Sequence, residues 1–283
     1  MTEMPSEPLL QVRDLGVTFQ SGSRTTVAAT GVSFDLRAGE VLAVVGESGS
    51  GKSVSSLALT GLLPPSPACE VTGSARLEGR ELIGLTEDAL TRVRGRRIAY
   101  VFQEPGTSLN PVYDIGFQIA EAVRLHRPEV RDVDAAVLTA LSEVRIDDPA
   151  RVARSYPHEL SGGMQQRAMI AMALACGPDI LVADEPTTAL DVTIQKEIMD
   201  LLARLRAEKR MAILLITHNF GIVSSFADHV QVMRNGRVVE QGPTAQVMHS
   251  PRDPYTRGLI ACIPRLGQKR RRLTTLRDEL RAS

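Results

Sequence analysis

VLAVVGESGSGKS, residues Val41 to Ser53, decides the fold. Its first five residues are an unbroken apolar run, the pattern of a strand buried on both faces. GESGSGKS follows and fits G-x-x-x-x-G-K-[ST], a loop whose mechanism needs a strand before it and a helix after it. Both are predicted: the strand runs into Gly46, and a helix is expected over Lys52–Leu63, ended by LLPPSP. Gly46, Gly49 and Gly51, with Glu47, Ser48 and Ser50 between them, let backbone N–H groups converge on oxygen atoms without a Cβ in the way. Lys52 is then placed for β- and γ-phosphate oxygens, and Ser53 for Mg²⁺. These thirteen residues predict an α/β protein that binds a nucleoside triphosphate.

Outward from the loop, strand-like and helical patterns alternate. Leu9–Phe19 and Thr25–Leu36 read as strands joined by the loop QSGSR, and Val71–Leu77 and Ile98–Phe102 as two more. From Glu104 to about Cys176 helical periods take over, at Ile115–Leu125, Ala135–Val144 and Gly162–Cys176. Alternation resumes with ILVAD (Ile180–Asp184), a helix at Ile194–Arg206, AILLIT (Ala212–Thr217) and a helix after His218. Asn235–Gly236 between two β runs signals a hairpin. The expected organisation is one domain over residues 1–264, an α/β core carrying a helical insertion at about 104–176. A short basic tail at 265–283, with Lys269–Arg272, reads as solvated surface.

Bulk properties exclude several classes. With 33 basic and 33 acidic side chains there is no net charge, which argues against a protein that coats nucleic acid. The longest apolar run, Met169–Cys176, is far too short to cross a membrane. MTEMPSEPLLQV does not have the form of a secretory signal, and Cys69, Cys176 and Cys262 fit neither a metal-ligand spacing nor a disulfide pattern. A cytoplasmic protein is expected.

Two further segments carry chemistry. ILVADEP is an apolar strand ending in adjacent acids, and strand neighbours point to opposite sides. Asp184 is therefore read as supporting the Mg²⁺ shell, and Glu185 as facing the γ-phosphate and polarising the attacking water. LSGGMQQR, Leu160 to Arg167, puts a serine and two glycines at a helix start, a second anion-holding turn.

The order of motifs then becomes recognisable. GESGSGKS, Gln103 in VFQEP, LSGGMQQR, ILVADEPTTALD and His218 in ITH together resemble the ATP-binding subunit of an ABC transporter. The resemblance implies a P-loop NTPase core of ABC ATPase type, with an antiparallel β subdomain and an inserted helical subdomain. It implies ATP and Mg²⁺ as ligands. It makes Gln103 a sensor of Mg²⁺ and water coupled to a membrane domain, His218 a γ-phosphate contact, and Phe19 the adenine-stacking aromatic. Ser161, Gly162, Gly163 and Gln165 would face the nucleotide held by a second ABC ATPase subunit, with Asp191 in the loop that crosses to it.

FQEPGTSLNP, YPHELSGGMQQR, ADEPTTALDVT and PYTRGLIACIPRL resemble, more narrowly, the oligopeptide, dipeptide and nickel importer branch. That branch implies two separate permease subunits, an extracytoplasmic solute-binding protein and a peripheral position on the cytoplasmic face of the bacterial inner membrane. It also favours a heterodimer of two different ATPases over a homodimer. Two positions depart from the branch: Asn219 stands where Asp is usual, and only Cys262 follows the core, too few cysteines for an iron–sulfur cluster. The alternative is a soluble ABC-type ATPase of a non-transport complex such as a carbon–phosphorus lyase system. SLNP at Ser108–Pro111 favours the importer, and the solute stays open among peptide, nickel chelate and similar cargo.

Overall fold

The computed structural model describes residues 7–188 and 190–263, so the basic tail read at 265–283 lies outside the described residues. The chain opens with a hairpin of β1 (Leu10–Ser21) and β2 (Arg24–Leu36). The expected QSGSR loop is mostly strand, since Gln20 pairs with Thr25 and Ser21 with Arg24, leaving a two-residue turn at 22–23. Next come β3 (Val41–Val45) and α1 (Lys52–Ala58). α1 is shorter than the sequence suggests. Leu62 N–H turns back to the Leu57 carbonyl and Gly61 N–H to that of Ala58, with Gly61 at φ 62°. That bonding pattern ends a helix with a left-handed glycine and satisfies its last carbonyls.

Then follow β4 (Cys69–Leu77), β5 (Arg80–Glu81), α2 (Glu87–Thr91) and β6 (Ile98–Val101). From residue 105 to 175 the described residues are helical or irregular: α3 (Pro105–Ser108), α4 (Ile115–His126), α5 (Val133–Glu143), α6 (Pro149–Ala153), a 3₁₀ turn at Pro157–Glu159 and α7 (Gly162–Ala175). Asp114, Asp132 and Asp148 cap α4, α5 and α6 by accepting from backbone N–H groups. The chain returns with β7 (Ile180–Asp184), α8 (Val192–Lys209), β8 (Ala212–Thr217), α9 (Phe220–Phe226), β9 (His229–Arg234) and β10 (Arg237–Pro243). It closes with α10 (Thr244–His249) and α11 (Pro254–Ala261).

Two sheets result. One is antiparallel, in the order β2-β1-β4-β5, and the other runs β10-β9-β3-β8-β7-β6. In the second, β9, β3, β8, β7 and β6 are parallel, and β10 folds back on β9 through the Asn235–Gly236 turn. Strand alternation explains the unbroken apolar runs. Leu181, Ala183, Ile213 and Leu215 face the helices, against Ile119, Leu141, Met169 and Leu201. Ile180, Val182, Leu214 and Ile216 face the antiparallel sheet, against Leu10, Val12, Leu15 and Val17. β7 and β8 are each covered on both sides, so neither face can be polar. A third cluster joins Ala43, Val45, Val230 and Val232 to Phe220 of α9 and Tyr255 of α11.

Candidate active site

Parallel strands end on one side of their sheet, which is where an α/β protein places its ligands. β3 delivers the glycine loop there, β8 delivers His218, β7 delivers Asp184 and Glu185, and β6 delivers Gln103. Because β7 lies between β8 and β6, Glu185 has a neighbour on each side. His218 Nδ1 lies 3.0 Å from Glu185 Oε1, and Gln103 Nε2 donates to Oε2 at 3.1 Å. A carboxylate only accepts, so Nδ1 carries the proton in that contact. Thr188 Oγ1 donates to Oε2 at 2.8 Å as a third partner.

The two acids are separated by a different device from the one expected. β7 stops at Asp184, and Glu185 leaves the strand with φ 47°, its N–H bonded to the Ile216 carbonyl at 2.8 Å. A left-handed turn at a non-glycine residue, not pleat alternation, aims the carboxylate between β6 and β8. Such a conformation costs about 1–3 kcal/mol and persists where surrounding contacts over-determine it. The three bonds to the carboxylate and the bond to Ile216 do so here.

In the loop, Lys52 is buried, and its Nζ donates to the carbonyls of Gly46 at 2.9 Å and Glu47 at 2.8 Å. Gly46 is required sterically, since a Cβ there would lie 2.2 Å from the Met233 carbonyl oxygen. Ser53 hydrogen-bonds Asp184, joining the loop to β7.

Burial and neighbouring charge set the ionisation of this group of residues. Burial lowers the Lys52 ammonium from the ordinary lysine range, and the carboxylates of Glu185, Asp184 and Glu47 partly restore it. Burial raises Asp184, with the like charge of Glu185 adding to it, against the opposing effects of Ser53 and Lys52. Burial would raise Glu185 as well. There the hydrogen bonds from His218 and Thr188, with the His218 and Lys52 charges, outweigh it and hold the carboxyl below the usual range. Glu185 is thus kept ionised, as an acceptor of a proton from water must be.

Lys52, Ser53, Asp184, Glu185, His218 and Gln103 come together through these contacts. The other predicted residues have different surroundings. Phe19, in β1, is half-buried and packs at the margin of the core between the sheets. Ser161 caps α7, accepting from Met164 N–H, and Asp191 caps α8, accepting from the N–H groups of Thr193 and Ile194 at 3.0 Å each. A Cβ on Gly163 would lie 3.0 Å from Ile194 Cγ2, so packing against the start of α8 also favours a small residue there, whereas one on Gly162 would make only an ordinary contact, 3.9 Å from Leu190 Cδ2. The Gln165 amide donates to the carbonyls of Pro157 at 2.8 Å and Leu160 at 3.1 Å, which ties down the 3₁₀ turn in front of the motif.

Two contacts were not legible beforehand. Thr188 reaches Glu185 only because of the left-handed turn, which no periodicity encodes. Tyr255 reaches Glu47 across 208 residues of sequence.

The sequence pattern described as ABC transporter matches residues 29–188. The chain belongs to the ABC transporter family. This ABC ATPase also matches, over residues 239–282, the pattern described as the carboxyl-terminal region of oligopeptide/dipeptide transporters. It is 49% identical over 270 residues to a Brucella ovis ATP-binding protein provisionally named for peptide import, covering 93% of this chain and 80% of that one. It is 48% identical over 261 residues to the oligopeptide transport ATP-binding protein OppD of Mycobacterium tuberculosis, covering 92% of this chain and 42% of OppD. Among solved structures, a dimeric ATP-binding cassette in a post-hydrolysis state with ADP and Pi superposes with a TM-score of 0.73 at 27% identity, over 83% of this ABC ATPase and 98% of that chain. The cbiO1 subunit of a Clostridium perfringens ABC transporter complex gives a TM-score of 0.72 at 30% identity, over 87% of this chain and 92% of that one. Among the described residues, no helix is long and apolar enough to cross a membrane.

Proposed function

We propose that this ABC ATPase drives peptide uptake through separate permease subunits, as a peripheral component on the cytoplasmic face of a bacterial inner membrane. The match of residues 239–282 to the oligopeptide/dipeptide pattern carries this reading, because that segment lies outside the catalytic motifs that transport and non-transport ATPases share. The permeases have a candidate seat on the helical region. A groove of about 410 Å³ lies between α4, α5 and α6, lined by Gly116, Phe117, Ala120, Val137, Leu138 and Arg154. Phe117 is 43% exposed beside Tyr113, whose ring stacks on it at 4.5 Å. An extracytoplasmic solute-binding protein would present the peptide from the far side.

In hydrolysis, Lys52 would extend to the β- and γ-phosphates, beside the amides of residues 48–53, while the Gly46 carbonyl still accepts from the third N–H of its ammonium. Ser53 and Asp184 offer a hydroxyl and a carboxylate, hard oxygen donors already in contact, which fit Mg²⁺. When bound there, Mg²⁺ would neutralise charge on the β- and γ-phosphates. Glu185 would accept the proton of the attacking water, with Gln103 and Thr188 orienting it and His218 turning to the γ-phosphate. Phe19 would stack on adenine. Ser161, Gly162, Gly163 and Gln165, with Asp191, would complete the site of a second ATPase subunit, the positive end of α7 facing its γ-phosphate. A different ATPase chain is the favoured partner.

The test is recovery of a tagged full-length chain from membranes, followed by ATPase assay with added peptides. Co-recovery of permease subunits and stimulation by peptide through the solute-binding protein are expected. Recovery with soluble enzymes alone, and no permease, would overturn the transport reading.

A further inference from the structure

The motif PYTRGLIACIPRL belongs to the carboxyl-terminal region, yet its tyrosine reaches the phosphate loop. The Tyr255 side chain is 1% exposed and sits in the cluster of Val45, Val230 and Val232. Glu47 N–H donates to the Tyr255 hydroxyl at 3.2 Å, and that hydroxyl lies 3.4 Å from Glu47 Oε2. The carbonyl of that same peptide unit, Gly46 C=O, accepts from Lys52 Nζ at 2.9 Å, and the Glu47 carbonyl beyond it at 2.8 Å. Tyr255, Glu47 and Lys52 therefore form one polar chain from α11 into the phosphate cradle. The tyrosine is itself held on three sides. The Arg234 guanidinium lies over its ring, 4.7 Å from the centroid. Asp253 caps α11 by accepting from Tyr255 N–H at 2.8 Å. Glu240 of β10 fixes the preceding backbone, accepting from Arg252 N–H at 2.7 Å and Asp253 N–H at 3.1 Å. The β9–β10 turn braces the loop independently, Gly236 N–H donating to the Ser50 carbonyl at 3.0 Å.

We infer that Tyr255 is a positioning residue for ATP binding, its hydroxyl setting the Gly46–Glu47 peptide whose Gly46 carbonyl Lys52 uses, so that the carboxyl-terminal segment tunes the affinity of the phosphate loop. The inference rests on the reading of GESGSGKS as the triphosphate site. The Glu47 N–H is turned outward to the tyrosine, which leaves the cradle to the later amides of the loop. Without the hydroxyl, that N–H loses the bond that fixes it and the Gly46–Glu47 peptide is free to rotate. The Lys52 carbonyl cage then loses one wall. The phenol holds its proton at neutral pH, and burial only moves its ionisation further up, so the hydroxyl proton is available to the Glu47 carboxylate.

Tyr255→Phe is the discriminating variant, because it keeps the ring beneath Arg234 and the packing while deleting one oxygen. The full chain is titrated with ATP, with and without Mg²⁺, and its thermal midpoint is followed in parallel. ATP affinity is expected to fall roughly 3–10-fold, the range of one net hydrogen bond, with little change in midpoint. Glu47→Ala in the Tyr255→Phe background should add less than it does alone, since the pair acts as a unit. Lys52→Ala serves as the control on the loop itself. Wild-type ATP affinity in Tyr255→Phe, while Lys52→Ala is crippled, would overturn the positioning role and leave the loop reading intact. Lowered stability with unaltered affinity would overturn it too, as purely structural. Undiminished binding by Lys52→Ala would remove the loop reading and the inference together.

Discussion

Glu185→Gln separates chemistry from binding at this site. The substitution keeps size and shape and removes one charge. Three donors face the carboxylate: His218 at 3.0 Å, Gln103 at 3.1 Å and Thr188 at 2.8 Å. The glutamine carbonyl can still accept from His218. Its new NH₂ group meets a Thr188 hydroxyl that can rotate to accept, so only the Gln103 contact is left mismatched. One neutral hydrogen bond is worth about 0.5–1.5 kcal/mol, and a change of 1 kcal/mol moves the melting point of a domain this size by about 2–4 °C. Folding should therefore be nearly unchanged. Turnover should not be. Removing a general base costs about 10²–10⁴ in rate, or about 2.7–5.5 kcal/mol of barrier at 1.36 kcal/mol per tenfold. The assay is phosphate release at saturating ATP on the assembled complex, with ATP affinity measured on the same preparation. A kcat within tenfold of wild type would refute the general-base role. An equal loss of kcat and ATP affinity would refute it also, because the defect would then lie in binding.

Other perturbations follow from the same contacts. Thr188→Val removes one of the bonds that hold Glu185 below the usual carboxylate range, so protonation becomes easier and the acid limb of the kcat profile moves to higher pH. Thr188→Ser should restore it, and a uniform loss of rate with an unmoved limb would count against the assignment. Ser161→Arg should leave ATP binding by the single chain intact and abolish ATP-driven pairing in sedimentation experiments; weakened binding with pairing preserved would reverse the assignment of LSGGMQQR. Leu215→Ala, at a position with no exposure on the helix-facing side of β8, should destabilise by about 2–5 kcal/mol in denaturant unfolding. A cost below 1 kcal/mol would mean that the central sheet is not packed on both faces.

The parallel sheet was legible because Val41–Val45, Ile180–Asp184 and Ala212–Thr217 are strands buried on both sides, which leaves no choice but continuous apolar sequence. The glycine loop was legible because one chemical task, holding phosphate with backbone amides, demands particular residues at fixed intervals. Helices α4 and α5 announced themselves by period. The short elements α3, α6 and α11 did not, since four, five and eight residues carry too little pattern.

The sequence by itself determined the local chemistry: which residue types could cradle phosphate, which acids end a strand, and which runs must be buried. Tertiary structure alone decided who meets whom. That Glu185 lies between Gln103 and His218 follows from the order β8-β7-β6, and its contact with Thr188 from a single left-handed residue. That Tyr255 meets Glu47 follows from α11 packing beside β3 and β9, across 208 positions. Spacing along a chain fixes neighbours only within a helix, strand or turn. Strand order and the docking of a distant helix are set by how the whole apolar surface is buried, and no short motif contains that information.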